Sequence, residues 1–236
     1  MYLKKNNKIM KNYRDILNKI ENSLEGNAHL DDLAKKNNDP FKILISTILS
    51  ARTRDACTIE ATETLFNEYN TPELIANADI EHLEILIKKS GFYKVKAARI
   101  KDVSKLLLEK YEGKVPQNFD DLIELPGVGA KTANCVLVYA FKIPAIPVDT
   151  HVHRIPNRLG WIQTKAPEQT EKKLKEMLPE DQWIRVNRIF VKFGQQTCLP
   201  TNPRCDSCPI SETCPKIFTI ERKRKKNLKV LKVKLE

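Results

Sequence analysis

The sequence predicts an all-α fold, and three observations carry that prediction. Helix starts are marked by capping residues: Asp39-Pro40 before "FKILISTILSA", Thr71-Pro72 before "ELIANA" and Asp79 before "IEHLEILIKKS". Apolar residues recur at helical spacing, as at Leu83, Leu86 and Ile87. No stretch alternates convincingly with the period of two that marks a half-buried strand.

Taken in order, Asp39 opens a helix of continuous apolar character, Thr71 a short one, and Asp79 a helix expected to stop at Gly91. The segments "KAARIKDVSKLLLEKY", "NFDDLIEL", "AKTANCVLVYAF", "PEQTEKKLKEML" and "QWIRVNRIFVKFG" follow the same pattern, the last ending at Gly194. Pro156, inside "HRIPNRLG", predicts a kink or an early stop. The basic tail "ERKRKKNLKVLKVKLE" reads either as a solvated extension or as a nucleic-acid arm.

Composition narrows the function. The 236 residues suffice for one large domain or two small ones, each able to bury a core. With 41 Lys+Arg against 30 Asp+Glu, a formal charge of +11, the expected partner is an anionic polymer or surface. The longest apolar run, "ILISTILSA", falls short of the roughly 20 residues of a membrane span. The N-terminus carries charge without an apolar signal core, so an intracellular location, cytoplasm or nucleoid, is expected. Of the six cysteines, Cys57 and Cys135 lie alone in apolar helical segments, whereas Cys198, Cys205, Cys208 and Cys214 crowd together. Crowding points to a metal centre. With a single C-x2-C knuckle and intervals unlike the ferredoxin run, the spacing leaves iron–sulfur, zinc and a disulfide pair open.

The stretch "ELPGVGAKTANCV" looks at first like a phosphate loop, but Ala130 separates Gly129 from Lys131 and Glu124 stands where the first glycine belongs. It reads instead as a helix-hairpin-helix: "NFDDLIEL", the turn "PGVG", then "AKTANCVLVYAF". Backbone N–H groups at Gly127, Val128 and Gly129, with the positive end of the second helix, suit one DNA phosphate without reading sequence. A packing turn between antiparallel helices is the plainer alternative. Lys131 stands beside the hairpin, where it could pair with phosphate. From Lys131 the helix runs about 15 Å, and the proline-bearing segment after it can return about 20 Å. Asp149, a good N-cap for "THVHR", is thereby expected near Lys131. His151 and His153 point to different faces of that helix, which argues against an H-x-H metal site.

"LPGVGAKTANCVL" followed by "VDTHVHRIPNRLG" resembles the helix-hairpin-helix DNA glycosylases, most closely the endonuclease III family. The resemblance runs from "DPFKILISTILSARTRD" to the cysteine cluster. It implies a two-domain fold: a six-helix domain over 31–143 that carries the hairpin, a helical iron–sulfur cluster domain from 1–30 and 144–217, and a basic extension over 218–236. It implies that Lys131 is a nucleophile assisted by Asp149, and that Cys198, Cys205, Cys208 and Cys214 hold a [4Fe-4S] cluster. Arg204 and Lys216 would let the cluster loop meet the DNA backbone, and His151 would contact DNA.

By the same resemblance, Arg52 plugs the space left by a flipped base and Phe92 wedges between bases. A surface arginine and a core phenylalanine are the plain alternatives. Arg52 departs from the glutamine usual in bacterial endonuclease III, which bears on the preferred opposite base. The implied activity is that of a bifunctional DNA glycosylase and abasic-site lyase, a monomer acting on oxidised pyrimidines in duplex DNA with damaged bases or abasic sites. A monofunctional mismatch or purine glycosylase and a non-enzymatic DNA-binding module are the competing readings.

Overall fold

The computed structural model describes residues 13–26 and 39–218; the basic tail from residue 219 onward and the expected start of the six-helix domain lie outside the described residues. Among the described residues all regular structure is helical: α1 (Tyr13–Asn22), α2 (Pro40–Ser50), α3 (Asp55–Glu68), α4 (Pro72–Asn77), α5 (Ile80–Leu86), α6 (Tyr93–Tyr111), α7 (Phe119–Glu124), α8 (Ala130–Phe141), α9 (Thr150–Arg158), α10 (Pro167–Met177), a 3-10 turn at Glu180–Gln182, and α11 (Trp183–Gln196). The fold is all-α, as the sequence predicts. None of these helices is long and apolar enough to cross a membrane.

The expected caps are realised as hydrogen bonds. Asp39 accepts from the Phe41 N–H at 2.9 Å, Thr71 from Leu74 at 3.3 Å, Asp79 from His82 at 3.0 Å and Asn118 from Asp121 at 2.9 Å. Such a cap contributes roughly 1 kcal/mol. Two helices differ in length from the sequence pattern. Helix α5 stops at Leu86 rather than Gly91, because the following turn is drawn onto another element: the Ser90 hydroxyl donates to the Leu49 carbonyl at 3.0 Å. Helix α9 passes through Pro156 and ends at Arg158, so the early stop does not occur. Only the Val152 carbonyl loses its N–H partner to the proline. The last turn is held from outside, since the Arg158 guanidinium donates to the Leu199 and Pro200 carbonyls at 2.7 and 2.8 Å.

The chain forms two compact units: a first (Met1–Leu24, Val148–Met177 and Ile189–Glu236) and a second (Glu25–Pro147 and Leu178–Arg188). In the second unit α2 is buried from Ile43 to Leu49 and α8 from Ala133 to Ala140, and the two pack against each other. A helix that is apolar all round belongs in a core. Helices α3 and α6 pack on α2, α4 and α5 on α6, and α7 on α8. Among the described residues seven helices run from α2 to α8, and α3 is the one that the sequence pattern does not announce, its start carrying no side-chain cap. The Tyr139 hydroxyl donates to Asn187, whose amide donates to the Pro147 carbonyl, tying Leu178–Arg188 to this unit at 2.9 and 2.6 Å.

In the first unit the buried residues include Leu17 and Ile20 of α1, Val152 and Ile155 of α9, Leu174 of α10, and Ile189, Phe190 and Phe193 of α11. The rings of Trp161 and Phe190 meet at 5.6 Å. After α11 the chain from 197 to 218 carries no helix, and Ile210 is its one buried residue.

Candidate functional site

Helix α7 delivers the chain to the hairpin, and α8 leaves it. Gly127 takes φ +74°, a left-handed conformation that favours glycine, and a Cβ there would stand 2.6 Å from the Arg99 Cδ. Gly129 is different. Its φ is −99°, and a Cβ on it would meet nothing within 4 Å. As the N-cap of α8 it has no side chain to accept from the first turn, so the positive end of a rigid core helix opens at this point. The hairpin's three backbone donors are not equivalent. The Val128 N–H already donates to the Leu125 carbonyl at 3.0 Å, and its side chain is buried, so Val128 anchors the turn. Lys131, half-buried, is the second residue of α8.

Asp149 stands in the first unit at the N-cap of α9, where one carboxylate oxygen accepts from the His151 and Val152 N–H groups at 2.9 and 2.8 Å. The two histidines of α9 have separate partners. His153 meets the Thr170 hydroxyl at 2.6 Å, while His151 Nδ1 meets the Arg154 guanidinium at 3.0 Å. A guanidinium only donates, so His151 Nδ1 is the acceptor and Nε2 carries the proton. The His151 ring lies so close to α11 that a Cβ on Gly194 would fall 2.1 Å from Nδ1.

Arg52 and Phe92 come together in the second unit. The Arg52 guanidinium lies 5.5 Å from the centre of the Phe92 ring, and both residues hold left-handed backbone, φ +56° and +61°. Phe92 is 62% exposed, which excludes the reading of a core residue packed under its loop. Beneath the exposed tips the loops are fastened by Lys96, 3% exposed, whose ammonium shares its three N–H donors among four oxygens, the Leu49 and Ala51 carbonyls, both at 2.7 Å, and the Thr53 and Ser90 hydroxyls at 2.8 and 2.9 Å. Burial, aided by the charge of Arg99, lowers the Lys96 pKa to about 8.

All four clustered cysteines line one cavity in the first unit, walled by Ile155, Leu159 and Phe193 on the helical side. No group of three or more His, Cys, Asp or Glu among the described residues is placed to hold a single metal ion. Burial pushes the Cys208 and Cys214 thiols up, and the neighbouring cysteines add to it. Arg158, 4% exposed, donates to the Cys198 sulfur at 3.3 Å and lies over the Phe218 ring at 5.1 Å. Arg154 donates to the Cys198 carbonyl at 2.8 Å. Arg204 is exposed at the cavity's rim.

Residues 45–180 match the family described as HhH-GPD superfamily base excision DNA repair protein. The chain belongs to that superfamily. It is 53% identical over 179 residues to the endonuclease III of Thermotoga maritima, covering 76% of this chain and 84% of that one. It is 41% identical to the chloroplastic endonuclease III homolog 2 of Arabidopsis thaliana, covering 82% of this chain but 53% of the plant protein. A solved structure described as a trapped endonuclease III–DNA covalent intermediate superposes with a TM-score of 0.73 at 38% identity, over 79% of this chain and 92% of that one.

Within this HhH-GPD chain the structure adds residues that motif reading passes over. Lys96 and Arg158 are two of many basic residues, yet each occupies an apolar stripe of its helix. Lys96 precedes the buried Ile100, Val103 and Leu107 at helical spacing, and Arg158 sits between the buried Ile155 and Leu159. A cation on a core-facing stripe was the available signal.

Proposed function

We propose that the protein is a bifunctional DNA glycosylase and abasic-site lyase of base excision repair that removes oxidised pyrimidines from duplex DNA. The observation that carries this reading is the position of Lys131, one residue into a core helix that begins at a glycine hairpin with open space at Gly129. A DNA phosphate held at the hairpin fixes the strand beside the amine. The covalent endonuclease III–DNA intermediate among its structural relatives supports a nucleophile in this fold.

The chemistry follows from the amine. Neutral Lys131 attacks C1′ of the flipped nucleoside; the glycosidic bond breaks and the base leaves with the electron pair, taking up a proton. Opening of the sugar ring gives a Schiff base, and loss of a C2′ proton expels the 3′ phosphate. Ionised Asp149 would favour the ammonium form of a nearby lysine, so its work is to stabilise the cationic sugar and to relay protons. Arg52 and Phe92 fill the gap left by the flipped base, and His151 and Arg204 contact the backbone. A monofunctional glycosylase would need no amine at position 131, and a DNA-binding module would need no Lys131 and Asp149 together.

The cysteine cavity fits a [4Fe-4S] cluster held by Cys198, Cys205, Cys208 and Cys214. The thiols line its wall, and bound cationic iron would offset the rise that burial and mutual proximity impose on two of them. When bound, the cluster supplies iron–thiolate cross-links and no step of base removal.

Borohydride added during turnover of a duplex with one oxidised pyrimidine should link the protein covalently to DNA. Lys131→Gln should abolish both the link and the nick while leaving binding intact. Trapping by Lys131→Gln would place the nucleophile elsewhere.

A further inference from the structure

We propose that Lys96 is the positioning residue of the DNA wedge: its ammonium fastens the Arg52 and Phe92 loops into one two-pronged unit. The inference rests on reading those two side chains as the wedge. The loops come from distant parts of the chain, yet their bases share one hydrogen-bond centre. Leu49, Ala51 and Thr53 flank Arg52 on one side, and Ser90 lies two residues before Phe92 on the other; all four give an oxygen to the Lys96 Nζ within 2.9 Å.

Further bonds close the same knot. Gly91 N–H donates to the Thr53 hydroxyl at 3.1 Å, and a Cβ on Gly91 would come 3.1 Å from the Arg52 carbonyl, so the two strands of backbone nearly touch. Two of the acceptors, the Leu49 and Ala51 carbonyls, end helix α2, where the helix dipole favours a cation.

This arrangement answers a physical problem. Left-handed backbone at non-glycine residues is strained and persists only where surroundings over-determine it. Arg52 and Phe92 both hold it while their side chains are exposed and meet each other. An apolar residue at position 96 would fill the volume but remove the one donor that joins all four oxygens, leaving only the Ser90–Leu49 and Gly91–Thr53 bonds to hold the loops together. A free wedge must be ordered as it enters DNA, and that ordering weakens binding.

The test uses duplex DNA carrying a tetrahydrofuran abasic analogue opposite 2-aminopurine, whose fluorescence reports the disturbed stack. Arg52→Ala and Phe92→Ala first test the wedge; if neither lowers the fluorescence change or the affinity for this duplex, the wedge reading fails and the inference with it. If they do, Lys96→Met should lower affinity by about tenfold, within the range of one lost stacking contact, and leave undamaged-duplex affinity within about twofold. Thr53→Val, at a half-buried position, removes one of the four oxygens and should do the same more weakly.

The decisive measurement is the cycle of Lys96→Met with Phe92→Ala. If Lys96 acts through the wedge, Phe92→Ala adds little in its absence. If the two losses simply multiply, or if Lys96→Met and Thr53→Val bind like the parent while Phe92→Ala does not, Lys96 is only a core residue and the inference is overturned.

Discussion

The loops of the second unit that carry Arg52 and Phe92 and the cysteine segment of the first both lack helix, yet they hold their shape by different means. Loops 51–54 and 87–92 are short, are flanked by core helices, and are fastened by a cation already in the chain. Segment 197–218 is longer and buries only Ile210, and its four thiols face a shared cavity. Backbone bonds such as Arg204 N–H to the Thr197 carbonyl and the reach of Arg158 to residues 198–200 shape it without giving it a core. Order in the proposed wedge is encoded in side chains; order in the cysteine segment, on the function proposed above, depends on the cluster its thiols would hold. Stability and function should therefore separate in the first case and fail together in the second.

The largest effect should follow from Cys208→Ser. Loss of one ligand should empty the cavity of iron, remove the yellow-brown absorbance near about 400 nm expected of a [4Fe-4S] centre, and lower Tm by roughly 10 °C. At about 2–4 °C per kcal/mol for a chain of this size, that drop corresponds to a loss of several kcal/mol. Iron analysis and a melting curve on the same preparation check it. Colourless parent protein with one zinc would break the comparison, because a single ion would then be holding the segment.

The difference in legibility between the two regions has the same origin. Asp39, Thr71, Asp79 and Asp149 announce their helices because capping is a local hydrogen bond between near neighbours. The hairpin and Lys131 are legible for the same reason. Lys96 is not, because its partners lie more than forty residues away at Leu49, Ala51 and Thr53, and a long-range bond leaves no mark on the sequence beside it. The end of α5 at Leu86 was hidden likewise by the Ser90 bond to Leu49. Pro156 misleads in the opposite sense: the local rule predicts a stop or kink, and distant carbonyls held by Arg158 support the turn that the rule would end.

A smaller effect should appear in the pH dependence of stability. Lys96 titrates at about 8 in the folded chain and near 10.5 unfolded, so between these values the unfolded state binds more protons and stability rises with pH. Below pH 8 both states are protonated and the burial cost is fully present. From pH 8 to 9.5 the parent should gain on the order of 1 kcal/mol relative to Lys96→Met, which has no proton to release. Parallel urea titrations at the two pH values test this. Equal gains in both proteins would mean that the four oxygens around the ammonium offset its burial.

The smallest stability change, and the sharpest separation of stability from function, belongs to Gly129. At Gly127, alanine must adopt φ +74° against the Arg99 side chain, so Gly127→Ala should cost more than about 1 kcal/mol. At Gly129 the backbone is one that any residue adopts and the Cβ direction is open. Replacing glycine there reduces the unfolded chain's freedom by about 0.4–1 kcal/mol, while alanine is a poorer N-cap than glycine by a similar amount. The two nearly cancel, leaving the fold within about 0.5 kcal/mol of the parent. Function should not be spared, because the new methyl group projects into the space where a DNA phosphate is proposed to approach the start of α8. Affinity for the abasic-analogue duplex should fall several-fold in Gly129→Ala, with a matching loss of borohydride trapping on lesion DNA at subsaturating enzyme. If Gly129→Ala melts, binds and traps like the parent, the opening at the hairpin is not the phosphate seat, and Lys131 must find its strand by another contact.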